Sequence, residues 1–136
     1  MLRIVDNIFL GISSLAHAIL SGKKLTTEQK KLIPYRDKAQ SILSNQGVSK
    51  RDVKVKIFHP SQEDGMAITF SCKGTENKEE AKRLQQAVEK VVLEILKEIP
   101  KELETRFFLQ VGPRPFGRCL IMSVTNGKVD YCDAWA

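Results

Sequence analysis

The chain has little of what small catalytic or cross-linked proteins are built on. Its three cysteines, Cys72, Cys119 and Cys132, are odd in number and form no C-x-x-C pair. That argues against a fully paired disulfide framework and a thioredoxin-like redox motif, and it suits a reducing compartment. The expectation is three free thiols, with Cys72 and Cys119 acting as small buried hydrophobes on strands. There are only two histidines, His17 and His59, neither at metal-ligand spacing from a cysteine or from the other. No metal site and no cofactor are therefore expected. Nucleophile-elbow, phosphate-loop, dinucleotide-fingerprint, zincin and EF-hand patterns are all missing. His59 with Cys72, Cys119 or Cys132 could supply a thiol and a base. However, His59 precedes Pro60 at a turn, where it reads as an exposed loop histidine, and the chain is expected not to be an enzyme.

Long hydrophobic runs are missing too. The most apolar stretch, residues 8–20, is 13 residues long and holds Ser13, Ser14 and His17. This is too short for a transmembrane helix. Ala16-His17-Ala18 mimics a signal-peptide cleavage site, but Asp6 and Asn7 argue against one. Met1-Leu2-Arg3 fits the start of a mitochondrial presequence, and nothing after it does. The expectation is a soluble protein of the cytoplasm, with the mitochondrion as the alternative, making no contact with membrane.

What is present is enough apolar material for a core and an uneven charge. The 136 residues suit a single domain, and at 42% hydrophobic they can bury a core without metals or disulfides. The net charge is +6, and residues 22–58 carry ten Lys or Arg against three acids, a local balance of +7. Such a segment either docks a polyanion or is a solvated face that aids solubility.

Ile4, Ile8, Ile12, Leu15, Ile19 and Leu20 recur at helical spacing, so residues 2–20 read as an amphipathic helix stopped by Gly22. That helix is either core or a surface for a protein partner. Residues 1–25 thus form an N-terminal helical element, and residues 26–136 the main body of the domain. Thr26 and Gln29 form a capping box that opens a second helix, which Pro34 interrupts or restarts and Gly47 ends in a left-handed cap. Val53, Val55 and Ile57 alternate with Lys54, Lys56 and Phe58, a strand with a basic outer face. Residues 60–65 turn, and 66–72 return as a second strand. Residues 76–99 form the clearest helix, with Ala81, Leu84, Val88, Val91, Val92, Ile95 and Ile99 on one face. Strands at 106–111 and 118–124 follow. Asn126-Gly127 then turns into residues 128–132, a candidate short edge strand, and Trp135 closes the chain. The pattern predicts an α+β domain, a two-layer sandwich with helices on one face of a small mixed four-stranded sheet.

Between the last two predicted long strands lies Gly112-Pro113-Arg114-Pro115-Phe116-Gly117-Arg118. Proline stiffens this tip, so Arg114 and Arg118 are presented to phosphate oxygens at low entropic cost, and Phe116 can stack on an unpaired base. The plainer alternative is a turn with exposed arginines.

Two stretches resemble the C-terminal domain of bacterial translation initiation factor three. I-T-F-S-C-K-G-T-E-N, residues 68–77, resembles that family's strand end and helix start, where an Arg-Gly-Arg-Glu-type motif stands. Lys73, Gly74 and Glu76 match it in register, and Thr75 replaces an arginine. P-R-P-F-G-R-C-L-I-M-S-V, residues 113–124, is similar to the family's last hairpin at Pro113, Arg114, Gly117, Arg118 and Met122. The likeness spans about residues 35–125, with one amphipathic helix and one strand between the two stretches. The strand and turn at 53–65 look like an extra limb, and the family's His-Asp at the first helix and its separate N-terminal domain are missing. These departures bear on start-codon discrimination more than on rRNA binding. The resemblance implies a helices-on-sheet fold that contacts the small ribosomal subunit, with Lys73 and Arg118 as RNA contacts, Arg114 as a basic position and Lys38 more weakly. With the basic strand, the candidate RNA-binding residues are Lys38, Lys54, Lys56, Lys73, Arg114, Phe116 and Arg118. The competing expectation is a protein-interaction module, such as a secretion chaperone or adaptor.

Overall fold

The computed structural model of the chain describes residues 24–112 and 118–134. The expected 2–20 helix, the 113–117 tip with Arg114 and Phe116, and Trp135 lie outside the described residues.

The elements run α1 (Thr27–Lys30), α2 (Ile33–Asn45), β1 (Val53–Ile57), β2 (Ala67–Cys72), α3 (Lys78–Leu96), a 3-10 turn (Lys101–Leu103), β3 (Arg106–Val111), β4 (Arg118–Thr125) and β5 (Lys128–Asp133). Local chemistry sets their ends. The Thr26 hydroxyl accepts from the Gln29 amide at 3.0 Å and Gln29 Oε1 accepts from the Thr26 amide at 2.9 Å, the expected capping box. Pro34 stands in the first turn of α2, where its missing N–H costs nothing. Gly47 takes φ +81° just beyond the end of α2. The long helix is shorter at both ends than its apolar pattern predicts. Asn77 caps it by accepting from the Glu79 and Glu80 amides, so Glu76 falls outside. Ile99 is buried from a turn beyond the helix, while Ala81 is exposed and Ala87 takes a place in the core.

Among the described residues the sheet has five strands, one more than the four predicted, in the order β1-β2-β3-β4-β5. All neighbours are antiparallel except β2 and β3, which are parallel and joined through α3. The added strand is the segment predicted as a short edge. It reads Lys-Val-Asp-Tyr-Cys-Asp, too polar for its pattern to count it into the sheet, yet Val129 is buried and the Tyr131 hydroxyl donates to Glu89 Oε2 of α3 at 2.6 Å. Asn126 and Gly127 take φ 52° and 74°, the two positive values that a tight hairpin of this hand requires.

One side of the sheet carries the core. Val53, Val55, Ile57, Ile68, Phe70, Cys72, Phe107, Leu109, Met122 and Val129 share one apolar cluster with Ala39 and Leu43 of α2 and Leu84, Val88, Val91, Val92 and Ile95 of α3. The α+β, helices-on-one-face architecture is therefore present. On the other side, the described residues form a small cluster of Ala67, Phe108 and Cys119.

His59 covers part of that small cluster. Its ring meets Phe108 edge-on, centroids 4.8 Å apart, and its Nδ1 accepts from the Ser61 and Gln62 amides, both at 3.2 Å. It is a half-buried turn anchor and not the exposed loop histidine predicted. Gln29 holds the same loop from α1, its amide donating to the Glu63 and Gly65 carbonyls at 3.3 and 3.1 Å. The ring leaves no room at residue 65, since a Cβ on Gly65 would stand 2.7 Å from it. Gly65→Ala is expected to displace His59 and cost about 1–3 kcal/mol. A urea unfolding midpoint unchanged from the native chain would refute that.

Burial first, and then the positive charge of Arg106, push the His59 imidazole below its ordinary value. The unfolded chain therefore takes up the proton first as pH falls, and protonated Nδ1 can no longer accept from the two amides. The neutral ring's contribution is full above the ordinary histidine range and is lost as pH falls through the lowered value. Stability should decline on acidification just below the ordinary range, and His59→Ala should flatten that part of the pH–stability curve. An equal decline in the variant would assign the effect to other groups.

Candidate nucleic-acid interface

Strand alternation decides which basic residues share a surface. Val53, Val55 and Ile57 point to the helices, so Lys54 and Lys56 point the other way. On β2 the same alternation puts Ser71, and Lys73 just past the strand end, on that outer side with Lys54. At this end of the sheet a groove of about 780 Å³ is lined by Lys50, Arg51, Lys54, Ser71, Cys72, Lys73, Gly74, Thr75, Glu76 and Gly112. Four of those side chains are cationic and one is acidic.

The turn Ser49–Asp52 builds one wall. The Asp52 and Val53 amides both donate to the Ser49 carbonyl at 3.0 Å, a tight turn that leaves Lys50 and Arg51 exposed at its crown. Lys73 and Gly74 form the other wall. The Lys73 amide donates to the Asp52 carbonyl at 2.9 Å, and its Nζ meets Asp52 Oδ1 at 2.8 Å. That ammonium holds the Asp52 carboxyl below the usual Asp range, and the same contact raises Lys73. An ammonium has three N–H donors. The contact to Asp52 fixes the Lys73 head, Glu80 adds a second, weaker attraction, and among the described residues no other acceptor takes its remaining N–H donors. Lys50, Arg51 and Lys54 make no ion pair among the described residues. The start of α3 offers no additional anion seat, because Asn77 already occupies the Glu79 and Glu80 amides and the Thr75 hydroxyl accepts from the Asn77 amide at 3.2 Å.

The structure therefore gathers two of the predicted residues, Lys54 and Lys73, at one groove. Lys56 is close by on the same outer face, its Nζ 5.5 Å from the centre of the Phe58 ring, and it lines a second groove between β1 and α2 together with Lys50, Lys54 and Arg36. Lys38 is elsewhere, in the helical layer, paired with Glu98 beyond the end of α3. Arg118 alternates with Leu120 and Met122 of the helix side, and its guanidinium is engaged by Asp133 at 3.2 Å. Of the two residues that flank 113–117, Gly112 reaches the basic groove. Its amide donates to the Cys72 carbonyl at 3.2 Å, and Arg118 pairs with Val111 on the adjoining strands.

Sequence reasoning did not single out Lys50 and Arg51, although both lie in the segment of excess charge. The available signal was Ser-Lys-Arg-Asp directly before an alternating strand, which reads as a turn that exposes its two central side chains.

The thiols do not assemble with His59 in a way that would make a nucleophile of Cys72. That residue lies on the helix side of the sheet, across from His59 and Phe108, and burial pushes its thiol up to about 12. Cys119 is buried with Phe108, and Cys132 is exposed; none of the three is in a disulfide. No group of three or more potential metal ligands occurs among the described residues, and none of the described helices is long and apolar enough to cross a membrane.

No family model matches the chain, and comparison with curated proteins and with solved structures gives no significant match.

Proposed function

We propose that this chain is a non-catalytic RNA-binding domain of the translation-factor kind, associated with the small ribosomal subunit. The observation that carries the reading is the groove at the end of the sheet, where Lys50, Arg51, Lys54 and Lys73 converge against a single lining acid, Glu76. Two further points support it. Lys73, Gly74 and Glu76, the residues that resemble the initiation-factor-three motif, all line that groove. Gly112, which directly precedes the segment bearing Arg114 and Phe116, lines it as well. On this reading Arg114, Phe116 and Arg118 extend the contact along the RNA, and Lys38, on the helical layer, contributes least. Such a protein works in the cytoplasm, or in the mitochondrial matrix, where ribosomes are found.

Phosphate contacts dominate binding of this kind, and each releases counterions. Titration of small-subunit rRNA fragments at two salt concentrations tests it. Changing Lys50, Arg51, Lys54 or Lys73 singly to Ala is expected to weaken binding by a similar modest factor and to flatten the slope of log K against log salt by about 0.7–0.9. Salt-independent binding, or variants with the native slope, would overturn the reading.

A second reading, an adaptor for another protein, has one observation in its favour. Gln40 of α2 reaches over the outer edge of β1, donating to the Val53 carbonyl and accepting from the Val55 amide, both at 2.9 Å. The next outward groups, the Val55 carbonyl and Ile57 amide, meet no partner among the described residues. An added strand could pair there. Binding through that edge would be nearly insensitive to salt, which separates it from the first reading.

A further inference from the structure

Beside the basic groove lies a row of three polar side chains on the outer face of the sheet. The register sets Lys54 opposite Ser71, and Ser71 opposite Gln110. With neighbouring strands about 4.8 Å apart, the row is about 10 Å long. Thr69, one step along β2 on the same face, is fully buried and its hydroxyl is spent on the Phe58 carbonyl at 2.6 Å. Ser71 and Gln110 are half-buried, yet the Ser71 hydroxyl and the Gln110 carboxamide meet no partner among the described residues. Neither counts among the buried polar groups left without a partner, so both reach solvent and are open to a ligand. The cations stand at one margin of this row and the uncharged donors and acceptors run inward from it.

We propose that the outer sheet face binds RNA as a single strand, with phosphates on Lys50, Arg51, Lys54 and Lys73 and unpaired bases laid over Ser71 and Gln110. This inference rests on the RNA-binding reading of the same groove and adds which form of RNA it takes. A duplex presents phosphates on its outside and keeps its pairing edges occupied, so it can use the cations but not the row. A single strand can place its backbone along the basic margin and turn its base edges inward, where a carboxamide offers both a donor pair and an acceptor. Tolerance of sequence is expected, because one hydroxyl and one carboxamide select weakly.

The test uses the full chain with a twelve-nucleotide RNA of mixed sequence, alone and annealed to its complement, at fixed salt. The single strand is expected to bind at least about tenfold more tightly than the duplex. The double variant Ser71→Ala with Gln110→Met, which keeps the side-chain volumes, is expected to lose most of that tenfold advantage. Its duplex affinity and its salt slope should stay native. Duplex binding as tight as single-strand binding, or a double variant with native single-strand affinity, overturns the inference and leaves RNA binding by the cations standing. Failure of both RNAs to bind overturns the inference and the RNA-binding reading together.

Discussion

Changing Lys50, Arg51, Lys54 and Lys73 together to Gln is expected to lower RNA affinity about a thousandfold at low salt, taking each phosphate contact at about 1 kcal/mol. It should also remove about 2.8 units of slope from the plot of log K against log salt, about 0.7 for each contact to a single strand. The four side chains share one groove, so their contributions act on the same stretch of backbone. Little of the loss should come from unfolding. All four residues are exposed, and the single ion pair removed, Lys73 with Asp52, lies at the surface, where such pairs are worth about 1 kcal/mol at most. Losing Lys73 also leaves the Asp52 carboxylate, which meets its Nζ at 2.8 Å, without that partner. Electrophoretic or fluorescence titration of native and quadruple variant reads both quantities. Native affinity in a variant that melts like the native chain would remove the groove from the binding surface.

Phe70→Ala is the substitution expected to harm the fold most, by about 3–5 kcal/mol. Phe70 has no solvent exposure and sits on β2, which has a partner strand on each side. Its register neighbours are Val55 and Leu109, both buried, and all three belong to the cluster that α2 and α3 cover. Backbone hydrogen bonds on both sides hold β2 in place, so the surroundings can collapse only partly onto a cavity there. Native domains of this size are stable by about 5–15 kcal/mol in total, so the variant should lose at least about a fifth of its margin, and all of it at the low end. In urea the midpoint should fall with little change in slope. A loss under 1 kcal/mol would mean that the helices do not seal the sheet at this point.

Apolar periodicity carried most of the fold. The 3.6-residue repeat through Leu84, Val88, Val91 and Ile95 and the two-residue repeat through Val53, Val55 and Ile57 place the α3 helix and the β1 strand without reference to anything else, and the structure keeps both. The capping box at Thr26 and the positive-φ glycine at Gly47 were equally readable, because each is a local requirement of the backbone. β5 was only partly readable. Just two of its side chains face the core, and one of them, Tyr131, is held through a hydrogen bond to Glu89. His59 was misread because its role depends on Phe108, far along the chain and brought near by the parallel pairing of β2 and β3.

The site was legible in type and less so in layout. Charge density marked residues 22–58 as basic, but composition cannot tell an outward lysine that stands free from one held by an acid on another element. Lys38 and Lys54 look alike in sequence; α3 brings Glu98 to the first, while the second opens onto the groove. Lys73 could be named from its motif, whereas its fixing by Asp52 follows only from the pairing of β1 with β2.

Ultraviolet cross-linking of the native chain to small-subunit rRNA, followed by mass spectrometry of the joined peptides, tests the RNA-binding account most directly. The account predicts cross-links within residues 50–56 and 71–76, lost when salt is raised before irradiation. Cross-links confined to the helical layer around Lys38 and Glu98, or no RNA captured at low salt, would contradict it.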